Sequence, residues 1–355
     1  MTGAMYAAVA GLKAHMQKLN VIGNNIANVN TYGYKAGRTT FKESLYTTIS
    51  SGSNGTATVG GSNPSQIGYG CSIGTIDLDM STKNYMPTGN VRDCMIDGSG
   101  FFMVGSKPSG TTTLATTRPE DLLLTRVGNF TVDSQGYLVD GNNNVVYGFV
   151  TVSGAAEAGA IADADKPTTG TQLVPIRLPM SAAANADGDI AEGTPIYPGL
   201  ADTGMNVYGT ETTPIQVDSI AIDETTGKIS AVTKDSKQIV VGYIALANVA
   251  NPNGVSHTSG PYYRGGEGTG SGEVAAASIG GAVTGRLNAA ADDETAPLIQ
   301  NTGNTTLLTG GLESSGTDLA TEISEMITTQ RGYQANTRII TVTDSMLEEL
   351  VNMKR

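Results

Sequence analysis

The chain has 355 residues and a mass of 36.5 kDa, long enough for two or three domains with cores of their own. Its 46 Gly, 5% aromatic content and lack of Trp favour many turns and short strands over one large aromatic-rich enzyme core. A formal net charge of −12 without a basic stripe makes it a poor nucleic-acid binder, and no apolar run approaches membrane-spanning length, so no insertion into a bilayer is expected.

The first element is a helix over 5–30. Met5, Val9, Leu12, Met16, Leu19, Gly23, Ile26 and Asn30 recur at alternating spacings of four and three, a heptad seam that is apolar except at its Gly and Asn. A lone helix cannot bury such a seam, so a partner is required, in this chain or in another copy. The run Ala4 to Ala10 could imitate a signal-peptide core. However, no basic residue precedes it and the heptad continues through the supposed cut, so no cleaved signal peptide is expected.

The helix should stop in Asn24-Asn25-Ile26-Ala27-Asn28-Val29-Asn30-Thr31-Tyr32-Gly33-Tyr34-Lys35, where Asn competes for backbone hydrogen bonds and Gly accepts left-handed geometry. Residues 31–69 are rich in Ser, Gly, Thr and Asn and read as a linker. From Ile73 the period becomes two, with Ile76, Leu78 and Met80 on one face. The stretch Val91 to Ile96 then leads to Asp97-Gly98-Ser99-Gly100-Phe101-Phe102, a turn that lays two aromatics into a β core. Arg126-Val127-Gly128-Asn129-Phe130 leads into a hairpin over 130–139 with its turn at Asp133 to Gly136. Cys71 and Cys94 lie in strand-like stretches of this expected domain and read as two free buried thiols, a single disulfide being the alternative.

The order of strand, Asp turn, strand in Phe130 to Phe149 is echoed by Ile220 to Tyr243. Between them residues 151–225 hold eleven Asp or Glu against Lys166 and Arg177. The expected organisation is a β domain built from 70–149 plus 215–315, with 150–214 as an inserted outer acidic β domain. The Gly/Ala-rich region up to Gly311, including 265–305, shows few strand signals beyond the turn at Asn248 to Gly254.

A second helical pattern fills Asp318 to Arg355. Met326, Tyr333, Ile340 and Leu347 form one half of a seam, and Ile323, Gln330, Thr337, Asp344 and Val351 the other, partly polar half. Polar seam positions cost stability but specify register and partner. Ser314, Ser315, Thr317 and Asp318 mark the entry, Glu322 suits the N-terminus, and Lys354 and Arg355 suit the C-terminal dipole. Thus 1–30 plus 316–355 should form a terminal helical core. The expected fold class is mixed α and β, elongated and multi-domain, with coiled-coil-like paired terminal helices flanking mainly-β domains.

Signals for catalysis are thin. His15 lies in the first helix and His257 in a loop, without zinc spacing, and no Gly-x-Ser-x-Gly or phosphate loop occurs. Asp187, Asp189 and Glu192 could ligate calcium but match neither an EF-hand nor an RTX repeat, so a solvated acidic loop is favoured. No catalytic residue, metal or cofactor is expected.

The run Asn-Asn-x-Ala-Asn-x-Asn-Thr-x-Gly-Tyr-Lys, carried by Asn24, Asn25, Asn28, Asn30, Thr31, Gly33 and Lys35, resembles the N-terminal signature of flagellar rod and hook axial proteins. Gly311-Leu312-Glu313-Ser314-Ser315 and Thr329-Gln330-Arg331-Gly332-Tyr333-Gln334-Ala335-Asn336 are similar to that family's C-terminal helix region. The Asp97–Phe102 and Arg126–Phe130 stretches resemble its first β domain. The resemblance implies a hook subunit, a helical tube acting as a flexible torque-transmitting joint between rod and filament. A distal-rod subunit is the nearest alternative, since it would share both terminal signatures but usually lacks an acidic insertion after Phe149. A secreted β adhesin would fit the composition without needing the paired termini, and a glycan-processing β enzyme would need two carboxylates about 5–10 Å apart in a cleft. Implied partners are further copies of the chain, a distal rod protein, and hook cap and hook-filament junction proteins. The implied location is the extracellular flagellum, reached by type III export without a cleaved leader.

Overall fold

The computed structural model describes residues 2–55, 60–106, 118–133, 136–151, 169–176 and 178, 217–233, 238–266, 271–287 and 296–353. They divide into two units, Met1–Asp79 with Ser315–Arg355, and Met80–Ser314.

In the first unit, α1 (Thr2–Ala27) is followed by β1 (Gly37–Glu43), β2 (Tyr46–Ser50), β3 (Ser65–Gly68) and β4 (Cys71–Leu78), and the chain returns at 315 to form α2 (Leu319–Asn352). Asp318 caps α2, its Oδ1 accepting from the Ala320 N–H at 3.1 Å and its Oδ2 from the Thr321 hydroxyl at 2.6 Å. The expected linker over 31–69 is corrected here. β1 pairs antiparallel with β4, Phe41 opposite Ile73, and β2 with β3, Thr47 opposite Ile67. The Thr, Tyr, Phe and Ile that these short runs hold suit a pleated strand, and their Ser/Gly-rich surroundings hide them. Because β4 completes the β1 ladder, residues 71–78 belong with the helices and not with the β unit. Cys71 therefore lies in the first unit, half-buried, while Cys94 is fully buried in the second; both are free. Burial pushes the Cys94 thiol up to about 12, so it is inert at neutral pH.

The second unit runs β5 (Tyr85–Pro87), β6 (Cys94–Asp97), β7 (Phe101–Gly105), β8 (Leu123–Thr125), β9 (Thr131–Val132), β10 (Leu138–Val139), β11 (Val145–Thr151) and β12 (Thr169–Pro175). It continues with β13 (Val217–Ile222), β14 (Lys228–Thr233), β15 (Gln238–Val249), β16 (Ser256–His257), β17 (Tyr262–Arg264), β18 (Val274–Ser278), β19 (Gln300–Asn301), β20 (Thr306–Thr309) and β21 (Gly311–Glu313). Among the described residues, thirteen of these strands join one sheet whose main path is β13-β14-β15-β11-β7-β8-β17-β16. The two echoed segments lie side by side, Phe149 of β11 opposite Tyr243 of β15. β15 is long enough to pair with β11 and β14 along its first half and with β7 and β18 along its second. Phe102, Phe130, Val146, Val241, Ile244 and Leu246 are central to the core.

Of the expected insertion over 150–214, β12 is described and pairs with β11 in the same sheet; Asp187, Asp189 and Glu192 lie outside the described residues, as do Lys354 and Arg355. The Gly/Ala-rich region holds a strand after all. The run Val-Ala-Ala-Ala-Ser of β18 is buried throughout and pairs with β15 over five residues, small side chains being what fits between closely packed layers.

Three of the motif stretches meet inside this unit. The Arg126 guanidinium donates to the carbonyls of Gly98 (Nη2, 2.9 Å) and Ile96 (Nη1, 3.5 Å), lies 5.4 Å from the Phe101 ring centroid, and stands 4.0 Å from the Glu313 carboxylate. Glu313 also accepts from the Lys83 N–H at 2.8 Å. Gly128 is required beside them: a Cβ there would sit 2.0 Å from the Cys94 carbonyl oxygen.

Candidate assembly interface on the terminal helices

α1 ends in a hydrogen-bonded knot built from the Asn-rich signature. Asn25 is buried, and all its polar capacity is used: Oδ1 accepts from the Gly37 N–H and the Tyr34 hydroxyl, both at 3.0 Å, while Nδ2 donates to the Gly37 carbonyl and to Glu322 Oε1, both at 2.9 Å. Asn24 donates to the Tyr34 hydroxyl at 2.9 Å. Asn28 donates back to the Asn24 carbonyl at 2.9 Å and accepts from Thr31 at 3.1 Å. Gly33 turns the chain with φ of 66°. Ser315 donates to the Asn28 carbonyl at 2.8 Å, and the Gly316 N–H to that of Tyr34 at 2.8 Å. One short motif thus ties the end of α1 to the start of β1 and to the start of α2. Lys35 is buried as well, whereas Asn30 and Thr31 are exposed.

The two helices run antiparallel, since Gly11 lies level with Asn336, His15 with Gly332, Lys18 with Glu325 and Asn25 with Glu322. The contact is made by small and polar residues. Gly11 and Gly332 admit the facing helix: a Cβ on Gly11 would lie 2.8 Å from the Asn336 amide, and one on Gly332 2.8 Å from the His15 ring. Lys18 and Glu325 pair at 2.9 Å, and Thr329 and Thr343, buried on the same stripe, satisfy their hydroxyls on the Glu325 and Ile339 carbonyls of their own helix. This packed stripe, Ala8, Gly11, His15, Lys18, Ile22 and Asn25 against Glu322, Glu325, Thr329, Gly332, Asn336 and Thr343, was not singled out from the sequence. The two helical glycines were its signal.

The predicted seams lie elsewhere on the helices. On α1, Met5 and Met16 are 42% and 46% exposed, and Val9, Leu12, Leu19 and Ile26 are half-buried. On α2, Ile323, Leu347 and Val351 are exposed, and Met326, Tyr333 and Ile340 half-buried. At 3.6 residues per turn, each seam is rotated by about 80° from its own packed stripe, in the same sense along each helix. In an antiparallel pair, equal rotations of one sense bring both seams to the same side. Ala7, Ala10 and Val21, beside Gly70 and Gly37 of the β1–β4 ladder, occupy α1's opposite side. The helix pair therefore presents one shared, incompletely covered face, apolar except at Gly23, Gln330, Thr337 and Asp344.

Burial, then the neighbouring charge of Glu325, raises the Glu322 carboxyl above its ordinary range, against the Asn25 bond and the Lys18 charge that lower it. The folded chain thus binds this proton more readily than the unfolded chain does. The Glu322 contribution to stability grows as pH falls from neutral through the carboxylate range, and ionisation costs stability above it. Glu322→Gln keeps an acceptor for Asn25 and is expected to remove this component. Thermal unfolding of parent and variant between neutral and mildly acidic pH should show the variant's advantage at neutral pH shrinking on acidification. An advantage independent of pH would contradict the assignment.

Among the described residues no helix is long and apolar enough to cross a membrane, and no group of His, Cys, Asp and Glu is arranged to hold a metal ion.

Residues 5–35 match the family described as "Flagella basal body rod protein", and residues 308–353 the family described as "Flagellar basal body rod FlgEFG protein C-terminal". The chain is similar to the flagellar basal-body rod protein FlgG of Bacillus subtilis, 34% identical over 355 residues that cover all of both chains. It is also similar to the flagellar hook protein FlgE of Borreliella burgdorferi, 25% identical over 475 aligned residues and again all of both chains. The hook protein FlgE of Treponema pallidum is 35% identical over 158 residues, 44% of this chain and 32% of that one. The two matched segments contain the helices and the knot, and the described residues between them are mainly strand; the matched families are structural flagellar components. The chain belongs to the flagellar rod and hook axial protein family.

Proposed function

We propose that this chain polymerises into the tubular axis of the bacterial flagellum, with the predicted seam residues of α1 and α2 as its assembly surface. The observation that carries the reading is the shared, mostly apolar face of the helix pair, left open at Met5, Met16, Ile323, Leu347 and Val351. A head-to-tail contact that does not close makes an open filament, and neighbouring helix pairs packing in coiled-coil-like fashion on this face would supply its strongest contacts. Looser contacts between the β units of neighbouring copies would let a hook bend while transmitting torque. The distal rod, hook cap and hook-filament junction proteins are the neighbours this role implies, after type III export to the cell exterior.

The hook reading takes the acidic stretch after Phe149 as its mark. A specific observation favours the distal rod instead: the rod relative of Bacillus subtilis spans this chain end to end over 355 aligned residues, whereas the Borreliella burgdorferi hook alignment needs 475. Electron tomography of cells carrying a tagged chain separates the two. Label on the external curved segment supports the hook, and label on the straight segment within the envelope supports the rod. Label away from the flagellum overturns both.

A further inference from the structure

Each helix of the terminal pair carries a charge at the outer border of its open face. On α1 the residues flanking the seam on the side away from α2 are Tyr6, Lys13, Asn20 and Ala27, all exposed; Lys13 is the only charge among them. On α2 the equivalent flank is Ile327, Gln334, Thr341 and Glu348, also exposed, and Glu348 is the only charge. Among the described residues neither Lys13 nor Glu348 has an ion-pair partner within the chain, in contrast to Lys18 with Glu325.

We infer that Lys13 of one copy pairs with Glu348 of the next copy, and that this pair sets the register between neighbouring helix pairs. The inference rests on the polymer reading and names the contact through which it acts. Copies in a filament with one polarity all point the same way, so α1 of one copy meets α2 of its neighbour antiparallel, as it meets its own α2. In antiparallel seams, residues on like flanks face each other. Within the chain, Gln334 stands level with Lys13, because Gly11 is level with Asn336 and His15 with Gly332. Glu348 lies two heptads beyond Gln334. Sliding the neighbour by two heptads leaves the seam rows in phase and brings the single positive flank residue opposite the single negative one.

The test uses the full chain with Lys13→Glu, Glu348→Lys and the double exchange, following polymer by sedimentation against protein concentration at low and high salt. Exposed ion pairs are modest, but reversal replaces attraction with repulsion at every repeat, so each single variant should raise the critical concentration about fivefold or more at low salt. The double exchange should return it to within about twofold of the parent, and the single effects should shrink at about 1 M salt. Far-ultraviolet circular dichroism of the monomers should match the parent, which separates a lost contact from a lost helix. Silent single variants in a polymerising parent, or a double variant as weak as the two effects summed, would overturn the pair alone. A parent that forms no polymer would overturn the polymer reading and the pair with it.

Discussion

Leu12→Asp and Leu347→Asp are each expected to abolish polymerisation while leaving the second unit folded. Leu12 is half-buried and Leu347 exposed in the single chain, both on the seam side of the helix pair. Burying one Leu against a neighbour contributes about 1.5–3 kcal/mol, and an unpaired carboxylate in its place adds the cost of desolvating a charge. A combined loss of about 3–5 kcal/mol per contact corresponds to roughly a hundredfold to several thousandfold rise in critical concentration. Sedimentation and near-ultraviolet circular dichroism measure the two halves of this expectation together. Loss of the β signal in either variant would contradict the division of labour between helices and sheet, and polymer at the parent's concentration would contradict the seam.

The second large effect is expected inside the β unit. Arg126→Met removes the guanidinium that lies between the Gly98 and Ile96 carbonyls and takes away the cation 4.0 Å from the buried Glu313 carboxylate. Breaking a buried pair on one side destabilises by about 3–5 kcal/mol, whereas replacing both partners is far milder. Arg126→Met should therefore lower denaturant stability by that amount, and adding Glu313→Gln should restore a large part of it. A loss below about 1 kcal/mol in the single variant would mean that solvent already screens the pair. This cluster gives a physical reason for three of the motif stretches, since Asp97 to Phe102 supplies a carbonyl and a ring, Arg126 the charge, and Gly311 to Ser314 the counter-charge.

Both terminal helices were legible because their stop and start chemistry is local: Asn and Gly after Ala27, Asp318 before Leu319. Their mutual packing was not, because hydropathy reads Met, Leu and Ile and passes over Ala8, Gly11, Thr329 and Gly332, whose value lies in what they leave out. The knot at Asn25 was visible as a motif, but its role depends on Glu322, nearly three hundred residues away. Long-range pairing also hid the strands. β1 and β2 sit among Ser, Gly and Thr, and β18 is mostly alanine, so each is specified by the partner strand and not by its own composition. The echo between Phe130–Phe149 and Ile220–Tyr243 was readable because the turn chemistry repeats, with Asp223 accepting from the N–H groups of Thr225 and Thr226 as Asp133 accepts from that of Tyr137.

The most direct measurement is electron microscopy of the purified full-length chain beside residues 80–314 alone. Tubes from the full chain and none from the β unit are the predicted result. Tubes from residues 80–314, or a full chain that stays monomeric with its cap partner present, would contradict assembly through the terminal helices.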